Sequence, residues 1–460
     1  MKTKLNTIIL IAIFLSMASC SKDWLNEKPS KSLVVPKTLK DLQAVLDDPY
    51  TLNRGMPTAG LISVDLFNIS DSDLGQFQES ERNIFSYTPG YIWAEESTLD
   101  WDQAWKAITS ANIVLEGIAE LSNISPDILN LKGQAYFYRA FHYYNLAQIF
   151  CAPYEASKAE QLSGLPIRTT SDVNILEPRS SLSALYKLMI KDLQLASALL
   201  PAKGKNFFRP SKPAALAMLS KISLLMQDFS KARIYADSAI TIKPELLDFN
   251  NTTLISSSKP YTFPDMGVNN PEIILYIFGN LSWFDASYPG SPLIIKQSFW
   301  DSYEDSDLRK TYFYEYTNGK VSAYGTYSGY NTIFQGISTN LLYFIRSECN
   351  ARMGEVEAAR NDLNLIFKFR YKTGTAPVVT ESNKEALIRL ILSERTKEFP
   401  RVSNIWWEDL RRLNLEPAYK RTMTRTINDK VYSLPPNDPR YVFPIPNNEV
   451  KFSGLEQNQR

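Results

Sequence analysis

The sequence predicts a mainly α-helical fold: stacked helix pairs, interrupted by one long irregular, loop-rich insertion, with little β structure. Three observations carry that prediction. Apolar residues recur at three- and four-residue spacings through Trp101, Ala104, Trp105, Ile108, Ala111 and Leu115, which places them on one helical face. Residues 213–244 and 340–369 repeat one pattern of small and apolar positions around a turn. Residues 246–338, between the two copies, are rich in Ser, Asn, Gly, Pro, Tyr and Phe and have little helical period.

The N-terminus sets a compartment. Lys2 and Lys4 precede an apolar run from Ile8 to Leu15, then small Ala18 and Ser19, then Cys20. Basic, apolar, small is the secretory pattern, so residues 1–19 are expected to be a signal peptide. The run is far shorter than the ~20 residues that span a bilayer as a helix. Leu15-Ser16-Met17-Ala18-Ser19-Cys20 resembles a bacterial lipobox, with Cys20 as the lipidated residue. A cysteine carrying two or more acyl chains anchors a protein stably where one chain does not. Ser21-Lys22-Asp23 is a partial version of a polar, acidic surface-export tag. Residues 20–460 are expected to form one domain.

The elements follow in order. Residues 21–60 read as an extended, proline-punctuated lead-in with a short helical pattern at Leu39–Leu46, and residues 61–98 as loop-like. The Trp101–Leu115 helix comes next, then a nearly all-round apolar helix at Leu131–Phe150. A further helix at Ser181–Leu200 is capped by Ser180 or Ser181 and closed by Pro201. Counting back from Pro244, residues 213–244 fit a 34-residue tetratricopeptide unit. Leu216, Leu219, Ala232, Ala236 and Ala239 take the packing positions, and Asp228-Phe229 makes the turn. Leu341, Leu342, Ile345, Gly354, Ala359, Leu363 and Ile366 keep the same spacing in the second copy. Such units bury a core only by stacking, so residues 99–245 and 340–412 are expected to form one scaffold. Segments 61–98, 246–338 and 413–460 are expected to be loop-rich, with a strand-like run at Glu272–Phe278.

Composition narrows the chemistry. A net charge of +1 gives no nucleic-acid footprint. Beyond Cys20 only Cys151 and Cys349 remain. They could pair in an oxidising compartment, but the preferred reading is two small buried hydrophobes. No Cys/His cluster suggests a metal. His142, the single histidine, reads as a packed, hydrogen-bonded helix residue, which leaves Ser-His and Cys-His catalysis without a base. Glu394, Arg395, Glu398, Arg411 and Arg412 read as charge pairs fixing a helix against the C-terminal loops, and not as a catalytic cluster.

Four stretches, in order, resemble the SusD/RagB family over nearly the whole chain. The first is the lipobox followed by Trp24-Leu25-Asn26-Glu27-Lys28-Pro29. The second is Lys132-Gly133-Gln134-Ala135-Tyr136-Phe137-Tyr138-Arg139-Ala140-Phe141-His142-Tyr143-Tyr144-Asn145-Leu146, with Gln134 where the family has Glu. The third is Ser393-Glu394-Arg395-Thr396-Lys397-Glu398-Phe399 with Trp406-Trp407-Glu408-Asp409-Leu410-Arg411-Arg412. Here Pro400-Arg401 and Asn404-Ile405 depart from the usual pattern. The fourth is Val442-Phe443-Pro444-Ile445-Pro446-Asn447-Asn448-Glu449 with Glu456-Gln457-Asn458.

The resemblance implies capture without catalysis, and no cofactor is expected. It implies a surface lipoprotein of the outer membrane, held by its lipid anchor only. That lipoprotein would bind oligosaccharides, or in some members peptides, and pass them to a SusC-like TonB-dependent transporter docked on the helical face. The expected ligand set is Asp71, Asp73, Arg82, Tyr91 and Trp93, with Asn280, Trp283, Phe284, Tyr288, Trp300, Tyr324, Tyr327 and Tyr330 from the insertion. Two rivals remain. A glycoside hydrolase would need two carboxylates ~5–10 Å apart, with candidates among Asp71, Asp73, Asp301, Glu304, Asp305 and Asp307. Asp301–Asp307 reads better as a solvated loop or helix start. A tetratricopeptide scaffold for a partner peptide explains the helices but neither the lipobox nor the aromatic insertion.

Overall fold

A computed structural model describes residues 36–54, 56–258, 261–279, 291–317 and 319–460. The signal peptide, Cys20, the Trp24–Pro29 motif and Asn280, Trp283, Phe284 and Tyr288 lie outside the described residues. In chain order the first part forms α1 (Leu39–Leu46), α2 (Pro49–Leu52), α3 (Ala59–Ser63), β1 (Phe67–Asn68), α4 (Asp71–Leu74) and α5 (Glu79–Phe85). Next come α6 (Leu99–Ala119), α7 (Pro126–Phe150), β2 (Ser163–Pro166), β3 (Arg179–Ser181), α8 (Leu182–Leu199), α9 (Lys212–Leu225) and α10 (Phe229–Ile242). The insertion holds β4 (Ile273–Leu275), β5 (Ile294–Ile295), α11 (Gln297–Trp300), α12 (Leu308–Phe313), β6 (Tyr314–Thr317), β7 (Lys320–Ala323) and β8 (Ile337–Ser338). Then follow α13 (Thr339–Met353), α14 (Val356–Arg370), α15 (Lys384–Glu398), α16 (Ile405–Leu413), β9 (Met423–Ile427), β10 (Lys430–Leu434) and α17 (Asn447–Ser453).

The fold is mainly helical, as the sequence predicts. The long helices start where side chains satisfy orphan backbone donors. Ser125 accepts from Ile128 N, Ser181 from Ala184 N, Asp228 from Lys231 N and Asn383 from Ala386 N. The Ser125 cap, with Pro126 in the first turn, starts α7 five residues before the apolar pattern does. The α7 rings of Phe137, Tyr138, Tyr143, Tyr144 and Phe150 are fully buried. Each such side chain contributes on the order of 1.5–3 kcal/mol on burial.

Neighbouring helices stack α6 on α7, α7 on α8, α8 on α9, α9 on α10 and α13 on α14. The two repeat copies share a signature finer than apolar spacing. Ser220 Oγ donates to Ala232 O (2.8 Å), and Ser347 Oγ to Ala359 O (2.7 Å). Ser347 stands 127 residues after Ser220, and Ala359 127 after Ala232. The turns match too: Gln227 (φ 61°) and Gly354 (φ 90°), again 127 apart, both adopt left-handed backbone. Such a hydrogen bond lies between helices that approach closely, which explains alanine there. α10 packs directly on α13, so the insertion leaves the stack and returns to it.

Two expectations need correction. Segment 413–460 is not simply irregular. It holds an antiparallel hairpin, β9–β10, with Ile427 opposite Lys430. Its two-residue turn, Asn428-Asp429, has positive φ at both positions (47° and 60°), the geometry that suits the twist of a tight hairpin. Likewise 61–98 carries α4 and α5, which are too short to show a helical period. Cys151 and Cys349 are both free and buried. His142 is fully buried too, but neither ring nitrogen makes a hydrogen bond of ordinary geometry. Burial pushes its pKa down to about 3 against an opposing effect of the Leu52 backbone, so the ring is neutral.

The charged residues of α15 and α16 form two buried ion-pair lattices. Glu398 accepts from Arg370 Nε (2.8 Å) and Asn340 Nδ2 (2.7 Å), and Arg370 also reaches Glu272 (2.6 Å). Arg309 bridges Asp307 (2.7 Å) and Glu394 (2.6 Å). In the second lattice Glu348 binds Arg412 (2.6 Å) and Arg352 (2.8 Å), while Asp409 binds Arg395 (2.6 Å) and Arg412 (2.8 Å). The partners lie on α13, α14, α16 and the insertion more than on C-terminal loops. Asp307 is no solvated residue: it is fully buried and caps α12.

Candidate functional site

The two segments expected to supply the ligand set are joined backbone to backbone. β1, from the N-terminal segment, pairs antiparallel with β5 of the insertion, with Phe67 opposite Ile295 and Asn68 opposite Ile294. The resulting sheet runs β1-β5-β7-β6. Lys296, next in chain to β5, donates its backbone N–H to Leu66 O (3.1 Å) and pairs through Nζ with Asp65 (3.2 Å). A loop face therefore exists, built from segments far apart in sequence.

The insertion also presents an aromatic group. The rings of Tyr261 and Tyr330 lie 5.8 Å apart, tilted by 44°, with Tyr330 42% exposed. Half-buried Tyr324 lies within electrostatic reach of both Glu315 and Tyr261, and its pKa is raised by burial first and by those two neighbours after it. A glycine makes the approach possible. Gly329 has φ 58°, and a Cβ there would fall 1.8 Å from Pro264 O. The 328–332 turn is braced from beneath, because Tyr276 Oη donates to Ser328 O (2.9 Å). Exposed Asp265 and Asn269 follow Tyr261 along the same loop. Trp300 is half-buried, edge-on to Tyr314 (5.7 Å), with Lys310 Nζ 5.0 Å from its ring centre.

Other members of the expected set sit elsewhere. Tyr327 is a core residue, 1% exposed, with its hydroxyl on Glu398 (3.2 Å) and Asn340 (3.2 Å). Trp93 is also buried: its indole N–H donates to Pro444 O (2.8 Å) and its ring packs on Phe150 and Phe443. It edges a cavity of about 440 Å³ shared with Arg54, Glu81, Asp100 and Asp102. Tyr91 Oη donates to Glu95 O (3.0 Å) and accepts from Asn447 N (3.2 Å). Both rings thus hold the Pro444–Asn447 tail against the loop that precedes α6. Asp71 is exposed and accepts from Asn428 N (3.1 Å) at the β9–β10 turn. Asp73 is engaged with its helix cap Ser70 (2.5 Å), and Arg82 Nη1 donates to Phe77 O.

The structure therefore brings Tyr324 and Tyr330 together and adds Tyr261, which sequence reading missed. Its one signal was an aromatic between Pro260 and Pro264 inside the insertion. Among the described residues no cluster of His, Cys, Asp and Glu is arranged to hold a metal, and no helix is long and apolar enough to cross a membrane.

Comparison with known proteins agrees with this architecture. A SusD-like family model, described as starch-binding and associating with the outer membrane, matches residues 23–224. A SusD-like protein of Formosa agariphila is 28% identical over 239 residues, which are 49% of this chain and 44% of that protein. The chain thus spans under half the length of that relative. Among solved structures, a SusD superfamily protein of Bacteroides thetaiotaomicron superposes with a TM-score of 0.73 at 20% identity, covering 92% of this chain and all (100%) of that one. A SusD-like carbohydrate-binding protein of Bacteroides vulgatus gives 0.67 at 20% identity, covering 90% and 96%. Surface glycan-binding protein A of Bacteroides fluxus gives 0.65 at 17% identity, covering 92% and 99%. With the helical stack, the Trp-Trp-Glu-Asp-Leu helix α16 and the locked Pro-Ile-Pro tail already in place, residues 23–224 match the SusD-like family model and the chain shares the fold of SusD superfamily structures.

Proposed function

We propose that this chain is a surface lipoprotein that captures oligosaccharides on its loop face and delivers them to a TonB-dependent, SusC-like transporter, without breaking a bond. Residues 1–19 act as signal peptide, Cys20 as anchor and residues 20–460 as one binding unit. The observation that carries the reading is the Tyr261, Tyr324 and Tyr330 group in the insertion, whose strand β5 pairs with β1 of the N-terminal segment. Sugars present apolar C–H faces that stack on aromatic rings, with hydroxyls left for polar neighbours such as Asp265 and Asn269. The family model's starch-binding description and the glycan-binding neighbour from Bacteroides fluxus support the same ligand class. Asp71, Asp73, Arg82 and Trp300 remain secondary candidates around the platform.

Several of the carboxylates weighed as a hydrolytic pair are engaged within the fold, which favours capture without catalysis. Asp307, Glu394 and Glu398 are buried and paired with arginine, Asp305 is paired with Lys310 (2.8 Å), and Asp301 accepts from Gln297 (2.7 Å). The test is calorimetric titration of the protein with oligosaccharides of plant, host and microbial origin and with peptides, beside a reducing-sugar assay. Binding of one glycan class without new reducing ends, lost at least tenfold in Tyr261→Ala/Tyr330→Ala, is the expected result. Peptide binding alone would move the chain to peptide capture, and release of reducing sugar would make it an enzyme.

A further inference from the structure

A cavity of about 640 Å³ lies on the scaffold, between the loop after α7, the α9–α10 turn, the end of α16 and residues 437–442. That is the volume of a small-molecule pocket. It shares no lining residue with the loop face. Arg411 lines it, 2% exposed. A buried guanidinium ordinarily faces a carboxylate. Arg411 does not: its donors reach the carbonyl oxygens of Gln148 and Cys151 and the Gln148 side chain (3.3 Å), and its Nε has no acceptor. Glu408, one turn earlier, is held by Lys221 (2.9 Å).

The rim adds further positive charge. Exposed Lys158 and Lys420 both line the opening. The two carboxylates there are engaged: Glu155 pairs with Lys158 (2.9 Å), which leaves Lys420 as the rim's uncompensated charge, and Asp438 takes two contacts of 2.8 Å from Arg440. Lys420 makes no ion pair among the described residues. Tyr154 and Tyr441 supply aromatic walls. The lining thus joins a buried guanidinium that pairs with no carboxylate, an ammonium without an ion pair and ring surface, a positive set that suits an oxyanion.

We propose that this cavity binds a small molecule carrying a carboxylate, sulfate or phosphate, with Arg411 as the buried positive charge and Lys158 and Lys420 at the rim. The site stands independently of the glycan reading of the loop face. Two sources share the chemistry: an acidic sugar unit and a free inorganic oxyanion. The full chain in detergent is titrated with glucuronate, with inorganic sulfate, with inorganic phosphate and with glucose, at ionic strength matched with sodium chloride. Saturable glucuronate binding, with glucose silent and affinity falling at least tenfold in Lys158→Ala/Lys420→Ala, supports a site for acidic sugars. Saturable sulfate or phosphate binding with the same loss, and no glucuronate binding, supports a free-oxyanion site. Arg411→Lys keeps a positive charge but loses the hold on the Gln148 and Cys151 carbonyls that fixes its place, and should fall at least as far. Should it melt early, the double variant decides, because both its positions are exposed. No saturable binding by any of the three anions, or binding that the double variant leaves unchanged, overturns the proposal.

Discussion

Single residues decide whether the aromatic group exists. Gly329 occupies left-handed backbone with no room for a Cβ beside Pro264 O. Gly329→Ala should therefore separate the 328–332 turn from the 261–264 loop. The strained φ alone costs on the order of 1 kcal/mol, and the clash adds to it. The expected outcome is a drop in glycan affinity comparable to Tyr261→Ala/Tyr330→Ala, with a small change in melting temperature, read by titration and calorimetry. A large fall in melting temperature with affinity intact would show that the turn braces the core and not the platform. Tyr327 shows the converse. Its place in a Tyr-rich run suggested a ligand contact, yet its hydroxyl completes the Glu398 lattice.

At the scale of elements, the ion-pair lattices do the work that the sequence reading assigned to α15 and α16, with partners it did not name. Glu348 is the test case. Burial alone would raise its pKa, but the Arg412 and Arg352 guanidiniums outweigh that and bring it down to about 2. A carboxyl depressed below its ordinary value of ~4.3 stabilises the fold above that pH and loses the contribution as pH falls toward 2. The window corresponds to about 3 kcal/mol. Glu348→Gln should flatten the stability curve between pH ~4.5 and 2 relative to the parent. It should also cost about 3–5 kcal/mol near neutrality, because Arg412 is left buried beside one fewer carboxylate. Denaturant unfolding at stepped pH measures both. An unchanged acid limb would mean that Asp409 alone satisfies the arginines.

The whole molecule combines a stack of helices with a face inserted into it. α10 meets α13 across the insertion, so loops can vary while the stack stays continuous. The proposed function would divide the labour, with a regular surface for a protein partner and an irregular one for a ligand. If Cys20 carries the anchor, Cys20→Ala should move the protein from the outer-membrane fraction to the soluble periplasmic fraction, read by fractionation and blotting. Affinity purification of the parent from solubilised membranes should bring down a TonB-dependent barrel as the dominant partner. Persistence of the Cys20→Ala protein in the membrane fraction would remove the lipid-anchor reading.

Much of this was legible from the residues alone. Helix periods, Ser and Asp caps, the Ala-bearing repeat and the Pro-Ile-Pro tail are local patterns, and local hydrogen bonding and burial realise them where they stand. The helices at Leu39–Leu46, 182–199, 212–242 and 339–370 follow their predicted stretches closely. The hairpin at Asn428-Asp429 and the short helices before Leu99 escaped because a two-residue turn and a four-residue helix carry too little period to read. The site was legible only as a composition: an aromatic-rich insertion somewhere near a polar N-terminal segment. Which rings face outward was decided by tertiary structure. Gly329 against Pro264, Trp93 against Pro444 and Tyr327 against Glu398 are contacts between positions remote in sequence. A ring's exposure depends on what covers it, and nothing in its neighbours along the chain specifies that cover.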